Sequence, residues 1–243
     1  MNHRVIPTEA GTRHADSTFG ARVYDFYTKL RRPRVPRGIT VMNPYADDRV
    51  RAYLRTFLDK YFADNHPRVL VLGINPGRFG AGITGITFAD PVALADYSGI
   101  ETGLARRREL SSVFIYDFIR HFGGPAVFHR DFFLTAISPL GFTREGINLN
   151  YYDDPKLAKA VTPFIARSIE QQIALGGRRD HAIILGTGTN FRFMQRLNEQ
   201  HRFFGTLHAL DHPRFIMQYR RRKLDEYLAA YELVFRRLAS RRD

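Results

Sequence analysis

Apolar positions along this chain switch between two rhythms. Val50, Tyr53, Leu54, Phe57, Leu58 and Tyr61 recur at the spacing of an amphipathic helix, with Asp47 placed to cap its start and Pro67 closing the pattern. The rhythm then vanishes. Val69 to Leu72 is an uninterrupted apolar run, the mark of a strand buried on both faces, and it breaks at Gly73 into Asn75-Pro76-Gly77 and a glycine-dense loop. Further on, Ser111 or Ser112 is placed to cap a helix through Val113, Phe114, Phe118, Ile119 and Phe122, which Gly123-Gly124-Pro125 terminates. Phe132 to Ile137 reads as a second buried strand ending at Ser138-Pro139-Leu140. Asp154-Pro155 opens a helix on N-cap and N1 preferences, carrying Leu157, Val161, Ile165 and Ile169, with Pro163 inside it as the expected bend.

His181 to Leu185 is a third strand, and Gly186-Thr187-Gly188 turns into a helix through Phe191, Met194 and Leu197. Phe203 to Leu210 is a fourth strand, followed by a last helix with Leu224, Tyr227, Leu228, Tyr231, Val234 and Leu238 on one face. Strands alternating with helices predict an α/β fold, a three-layer α/β/α sandwich around a small four-stranded parallel sheet. Open sheets of this kind bind ligands at the carboxyl edge of their strands, where Gly73 to Phe88 begins. Residues 1–37 read as an N-terminal extension packed on or loosely attached to the core. It is polar up to about position 20, then carries a short helical stripe of Phe19, Val23, Phe26 and Tyr27 and the basic, proline-broken run Leu30 to Arg37. No linker divides residues 38–243, which are expected to form a single domain.

Composition narrows the partner. Lys and Arg number 37 against 24 Asp and Glu, a net charge of +13, which favours a polyanion, with nucleic acid ahead of an acidic membrane because no basic amphipathic anchor stands out. There is no cysteine, so disulfides, thiolate metal sites and cysteine-held iron–sulfur clusters are excluded. No membrane-spanning apolar run and no signal-peptide core is visible, and a soluble, cytoplasmic, monomeric protein is expected.

The glycine loop after the first strand is not a phosphate cradle. It lacks the Gly-x-Gly-x-x-Gly spacing and the Lys-Ser/Thr of a P-loop, leaving one carboxamide, Asn75, between Gly73 and Pro76 with Phe79 and Phe88 nearby. Such a loop suits a flat polar base. The Gly186-Thr187-Gly188 turn admits a nucleotide-loop reading, but a strand-to-helix turn needs glycine for its backbone alone. On the residues Gly73, Asn75, Pro76, Gly77, Phe79, Gly80, Thr84, Gly85 and Phe88, the stretch GINPGRFGAGITGITF resembles the first motif of the uracil-DNA glycosylase superfamily, in its single-strand-selective monofunctional branch. His212-Pro213-Arg214 after the run Thr206 to Leu210 is similar to that family's second motif, and Asn43-Pro44-Tyr45 to the segment entering its core. The resemblance covers roughly residues 38 to 225 and implies the strand order 2-1-3-4.

It also implies a chemistry. Cleaving a deoxyribose–uracil bond sends the base away as an anion while positive charge grows on the sugar. An imidazole N–H of His212 would stabilise the base oxyanion, and Asn75 would orient a water without being able to take its proton. Phe88 would stack on the everted base, a contact worth about 1–3 kcal/mol. Gly73, Ile74, Pro76, Gly77, Phe79, Phe88, Thr135, Ala136 and Ser138 would line the base site. Arg214, Phe215, Ile216 and Met217 would form an apolar wedge filling the gap left by the flipped nucleotide, and Arg220, Arg221, Arg222 and Lys223 would meet phosphate.

The chain departs from the family at the second strand, where Ala136 stands in place of an Asn that reads the Watson–Crick edge. Recognition would then pass to backbone groups, to Thr135 or Ser138, or to Asn148 or Asn150, and deaminated purines such as xanthine enter the range of substrates. Arg78 and Ala81 also differ from the usual motif. The expectation is a monofunctional DNA glycosylase needing no metal or cofactor, acting on single- or double-stranded DNA and leaving an abasic site. Nothing places a lysine or terminal amine for Schiff-base chemistry. A non-catalytic nucleic-acid-binding module of the same fold and a small-molecule nucleotide enzyme are the alternatives.

Overall fold

In the computed structural model, which describes residues 17–239, the chain runs α1 (Phe19–Thr28), β1 (Ile39–Met42), α2 (Asp48–Tyr61), β2 (Arg68–Gly73), α3 (Ala81–Thr84), α4 (Pro91–Ser98), α5 (Leu110–Phe122), α6 (Pro125–Asp131), β3 (Phe132–Ala136), β4 (Gly141–Arg144), β5 (Ile147–Leu149), α7 (Pro155–Ala174), β6 (Gly177–Leu185), α8 (Thr189–His201), β7 (Thr206–Leu210), α9 (Pro213–Tyr219) and α10 (Leu224–Leu238). Short 3₁₀ turns span Pro44–Ala46 and Arg221–Lys223. The polar segment expected to be loosely held falls largely on residues 1–16, outside the described residues.

The four long apolar runs form one parallel sheet in the order β3-β2-β6-β7, which is 2-1-3-4 when these strands are numbered by themselves. Alternation along β3 sorts its side chains between two helical layers. Phe132 packs on Phe235 of α10, their ring centroids 4.7 Å apart. Its neighbour Phe133 turns the other way, against Phe19 of α1 at 5.3 Å. Pairing of Leu70 with Phe133 and of Gly73 with Ala136 brings Gly73 and Ala136 side by side at the carboxyl edge.

α1 is part of this core. Thr18 caps it by accepting the Ala21 N–H at 3.2 Å, and Phe19, Val23 and Tyr27 are buried. Gly20 permits the close approach to α2: a Cβ there would stand 2.9 Å from the Phe62 carbonyl oxygen. α2 and α7 start where the sequence places them, on Asp47, whose side chain accepts the Arg49 N–H, and on Asp154, which accepts those of Lys156 and Leu157.

Several expectations are corrected. α5 is not capped by Ser111 or Ser112, which lie in its first turn. Its N-cap is Glu109, whose N–H is taken by Asp90 at 2.7 Å. Gly123 does end α5, but Pro125 opens a further helix, α6. The fourth strand begins at Thr206 rather than Phe203, because the Asn198 side chain occupies both backbone groups of Phe204, at 2.8 and 2.9 Å. α4 was not anticipated, although Asp90-Pro91 opens it with the same signal as Asp154-Pro155.

The second sheet was not anticipated either. Three short antiparallel strands in the order β1-β4-β5 form it, with Met42 paired to Gly141 and Phe142 to Leu149. Gly141 is required here, since a Cβ on it would meet the Pro76 carbonyl at 2.5 Å as well as the Met42 side chain. This sheet carries the chain back from the end of β3 to the loop after β2, and its exit, Leu149 to Tyr151, lies against Asn75.

Candidate active site

A cavity of about 340 Å³ opens at the carboxyl edge of β2 and β3. Its walls are Gly73 to Gly77 and Ala81 from the first-motif loop, Thr87 and Phe88 from the loop's end, and Ala136 from β3. Asn148 lies in β5 and Asn150 just after it, Glu109 and Ser111 come from the start of α5, and His212 and Arg214 from the start of α9. The structure therefore brings together Asn75, His212, Gly73, Ile74, Pro76, Gly77, Phe88, Ala136 and Arg214 from segments far apart in sequence.

Gly73 and Gly77 line the cavity, whereas Thr84 and Gly85 hold the loop from behind. The buried Thr84 hydroxyl donates to the Ala89 carbonyl at 2.6 Å. Gly85, at φ +72°, offers its carbonyl to the Tyr45 hydroxyl at 3.1 Å, which explains why Asn43-Pro44-Tyr45 accompanies the motif. Phe88 also lies in the left-handed region, at φ 59°, a strained conformation for an aromatic residue that aims its ring back over the strand exit. Only a glycine fits beneath it: a Cβ on Gly73 would lie 2.8 Å from the ring. The Phe88 and His212 rings are 5.9 Å apart at an angle of 52°, two sides of one slot.

His212 is the N-cap of α9. Its Nδ1 accepts the Arg214 N–H at 3.2 Å, so in the neutral ring the proton sits on Nε2, leaving that N–H as the donor available to the cavity. Burial, reinforced by the Arg214 charge, pulls the imidazole down to about 4, so the ring is neutral at physiological pH. The Asn75 carboxamide is held at both ends by the second sheet's exit: Oδ1 accepts the Tyr151 N–H at 3.0 Å and Nδ2 points to the Leu149 carbonyl at 3.4 Å. Tyr151 is itself fixed, buried with its hydroxyl 2.8 Å from Oδ1 of Asn190. A carbonyl oxygen has two lone pairs, so Asn75 Oδ1 keeps one for a further partner.

Five of the expected residues are elsewhere. Thr135 faces the α1 layer by strand alternation, and its hydroxyl is spent on Tyr27 at 2.9 Å and Gln172 at 2.5 Å. Ser138 is buried and donates to the Leu140 carbonyl at 2.8 Å. Phe79 lies outside the cavity, stacked under Arg107 at 3.7 Å and Arg78 at 4.4 Å. Ile216 and Met217 are buried on the inner face of α9 and cannot form a wedge. Phe215 and Tyr219 are the large apolar side chains that α9 exposes, 38% and 60% accessible with rings 5.6 Å apart, beside Arg220. Arg221 and Arg222 are exposed on the following turn, which ends in Lys223, paired to Glu226 at 3.1 Å.

Glu109 and Thr87, which no motif marks, also line the cavity, as does Ser111, expected only as a helix cap. Glu109 follows Arg106-Arg107-Arg108, a charged run with no apolar period to mark an inward-facing position, and only the fold turns it towards the cavity. Its carboxyl is raised above the usual range by burial and by Asp90, against the pull of Arg214 and Arg107. Among the described residues no group of three or more His, Asp or Glu side chains is arranged to hold a metal ion, and no helix is long and apolar enough to cross a membrane. A wider groove of about 1240 Å³ between α1 and α7 holds none of the motif residues.

The family model of the uracil DNA glycosylase superfamily matches residues 60–235. Among solved structures, the wild-type SMUG2 of Pedobacter heparinus is similar to this chain at 41% identity over 91% of this chain and 98% of that one, with a TM-score of 0.89. No curated protein matches the chain.

Proposed function

Because the chain belongs to the uracil DNA glycosylase superfamily, as a SMUG-like member and a DNA glycosylase that hydrolyses N-glycosyl bonds, we propose that it excises uracil and related deaminated bases from DNA. The nucleotide is flipped out of the strand and an abasic site remains. The observation that carries this reading is the slot itself. A neutral imidazole with its free N–H on Nε2 faces an aromatic ring across 5.9 Å, with the fixed Asn75 carboxamide in the same cavity wall.

The departing base is an anion whose charge rests on its carbonyl oxygens. A donor that is neutral and already oriented stabilises that charge without reorganising, and a dry site strengthens it. Asn75 positions a water with its remaining lone pair. Phe88 stacks on any flat base, so identity is read elsewhere. With a methyl group at Ala136, reading of the base edge falls to other polar groups at the cavity, among them the backbone of Ile74 to Gly77, the Asn148 amide and Asn150. Asn148 already accepts the Arg78 N–H at 3.1 Å, which leaves its amide N–H groups to donate to base carbonyls. Such donors favour oxo-bases, xanthine as well as uracil, over a base carrying an exocyclic amine. Extrusion costs a few kcal/mol, and the exposed Phe215 ring, with Arg220 against it, would fill the vacated stack.

The test is base release from a duplex and a single-stranded oligonucleotide carrying uracil, read after alkali cleavage of the abasic site, with a panel of deaminated bases alongside. Asn75→Ala and His212→Ala each lower single-turnover release by about 100-fold or more, on the scale of one lost oxyanion donor or misplaced water. Full activity in either variant removes that residue from its role.

A further inference from the structure

The water that adds at C1′ must give up a proton, to solvent or to a group of the protein, and neither of the two residues so far assigned can take it. The carboxamide of Asn75 is not a base at neutral pH. His212 must keep a proton on Nε2 to serve the departing base, and its Nδ1 is already occupied by the Arg214 N–H. Glu109 is the carboxylate lining the same cavity. Its backbone is fixed because Asp90, itself buried, takes the Glu109 N–H at 2.7 Å and the Ala93 N–H at 2.8 Å. Its side chain lies along the first-motif loop. Oε1 stands 3.5 Å from the point a Cβ on Gly77 would occupy, and Oε2 fills the space where one on Gly80 would go. No hydrogen bond or ion pair engages this carboxylate among the described residues, so its oxygens remain free for a ligand in the cavity.

We infer that Glu109 is the general base of the reaction, accepting the proton of the water that Asn75 positions. This rests on the glycosylase reading above. Charge decides which side of the substrate it serves. A carboxylate against the base would oppose the negative charge growing there, whereas beside the sugar it stabilises the positive charge growing at C1′. In the step, the C1′–N bond breaks with its electron pair going to the base nitrogen. The water oxygen bonds to C1′, and one water proton passes to Glu109. The products are a base anion held by His212 and a neutral carboxylic acid, which returns its proton to the base or to solvent. The groups facing Glu109 are Asp90 at the start of α4, Arg107 on its own loop, and Arg214 with the neutral His212 at the start of α9. Burial and Asp90 raise its carboxyl, which puts its titration closer to the operating range where a base is useful.

Glu109→Gln keeps the shape and removes the base. Single-turnover release of uracil, measured from pH 5 to pH 8 together with DNA affinity, is expected to fall about 100-fold or more. The acid limb of the wild-type profile disappears and affinity is unchanged. Glu109→Ala leaves room for a small carboxylate, and added formate is expected to restore part of its rate. A Glu109→Gln protein with the wild-type rate and acid limb overturns the inference. So does a loss confined to one damaged base while another is released normally, which would put Glu109 at the base edge. Absence of formate rescue in a Glu109→Ala protein with wild-type melting temperature also overturns it. A wild-type protein that releases no base from any substrate overturns the glycosylase reading, and the role of Glu109 with it.

Discussion

A methyl group on Gly73 would lie 2.8 Å from the Phe88 ring, and neither partner can easily yield. Gly73 is paired to Ala136 in the sheet, and Phe88 is held at a positive φ by the Thr84 and Gly85 contacts behind it. Gly73→Ala should therefore push the ring out of the slot and lower base release by about 100-fold, the cost of a misplacement near 1 Å. A near-normal melting temperature, read by circular dichroism, would show the effect to be local. His212 offers a second check. Because its imidazole is neutral down to about 4, the oxyanion donor is constant from pH 5 to pH 8. Any acid limb in that range should survive in His212→Asn at a lower absolute rate.

The strand β2 joins two ends with opposite demands. Its carboxyl end presents Gly73 to the cavity. Its amino end buries a guanidinium: Arg68 donates to the His129 carbonyl at 3.0 Å and the His66 carbonyl at 2.7 Å, and pairs with Asp64 at 2.8 Å beneath the rings of Phe19 and Phe62. Removing one partner of such a buried network typically costs about 3–5 kcal/mol. Arg68→Ala is expected to destabilise by about that much in urea titration, since it orphans the His129 carbonyl and leaves a void between two phenyl rings. Arg68 lies at the far end of the strand from the cavity, so activity per folded molecule should stay near wild type. The apolar pattern that finds this strand begins at Val69, and nothing in the neighbouring sequence marks Arg68 as a buried residue.

Over the molecule as a whole, two buried histidines make stability depend on pH. Burial pulls His129 to about 3 and His212 to about 4, from an ordinary value of 6.5. Between those limits the unfolded chain binds protons that the native one does not. Their contribution is therefore fully present above about pH 6.5 and is lost as pH falls towards 4 and then 3. The melting temperature should drop on going from pH 7 to pH 5. His129→Phe, which suits a site ringed by Phe57, Phe62 and Phe128 at 5.2–5.4 Å, should flatten that drop. The net charge of +13 should appear as a salt dependence of DNA binding. Each basic residue that neutralises a phosphate steepens the log–log slope by about 0.9 on duplex DNA. Arg221→Gln and Arg222→Gln together should make that slope shallower by up to about twice this, measured by fluorescence anisotropy.

The amino-acid sequence by itself determined the alternation of buried strands and amphipathic helices, the caps at Asp47 and Asp154, and the stretch from Gly73 to Phe88 with His212 after the last strand. These are local patterns of period, turn and cap, and each is written in neighbouring residues. Tertiary structure alone decided which side of an element faces the cavity. Thr135 and Ala136 are adjacent, yet strand alternation sends one hydroxyl into the α1 layer and the neighbouring methyl to the site. Ile216 and Phe215 part in the same way around one helix turn. The second sheet, whose strands are too short to carry a period, and the inward turn of Glu109 from a run of arginines depend on contacts between distant segments. Pairing energy of that kind leaves no trace in any single window of sequence.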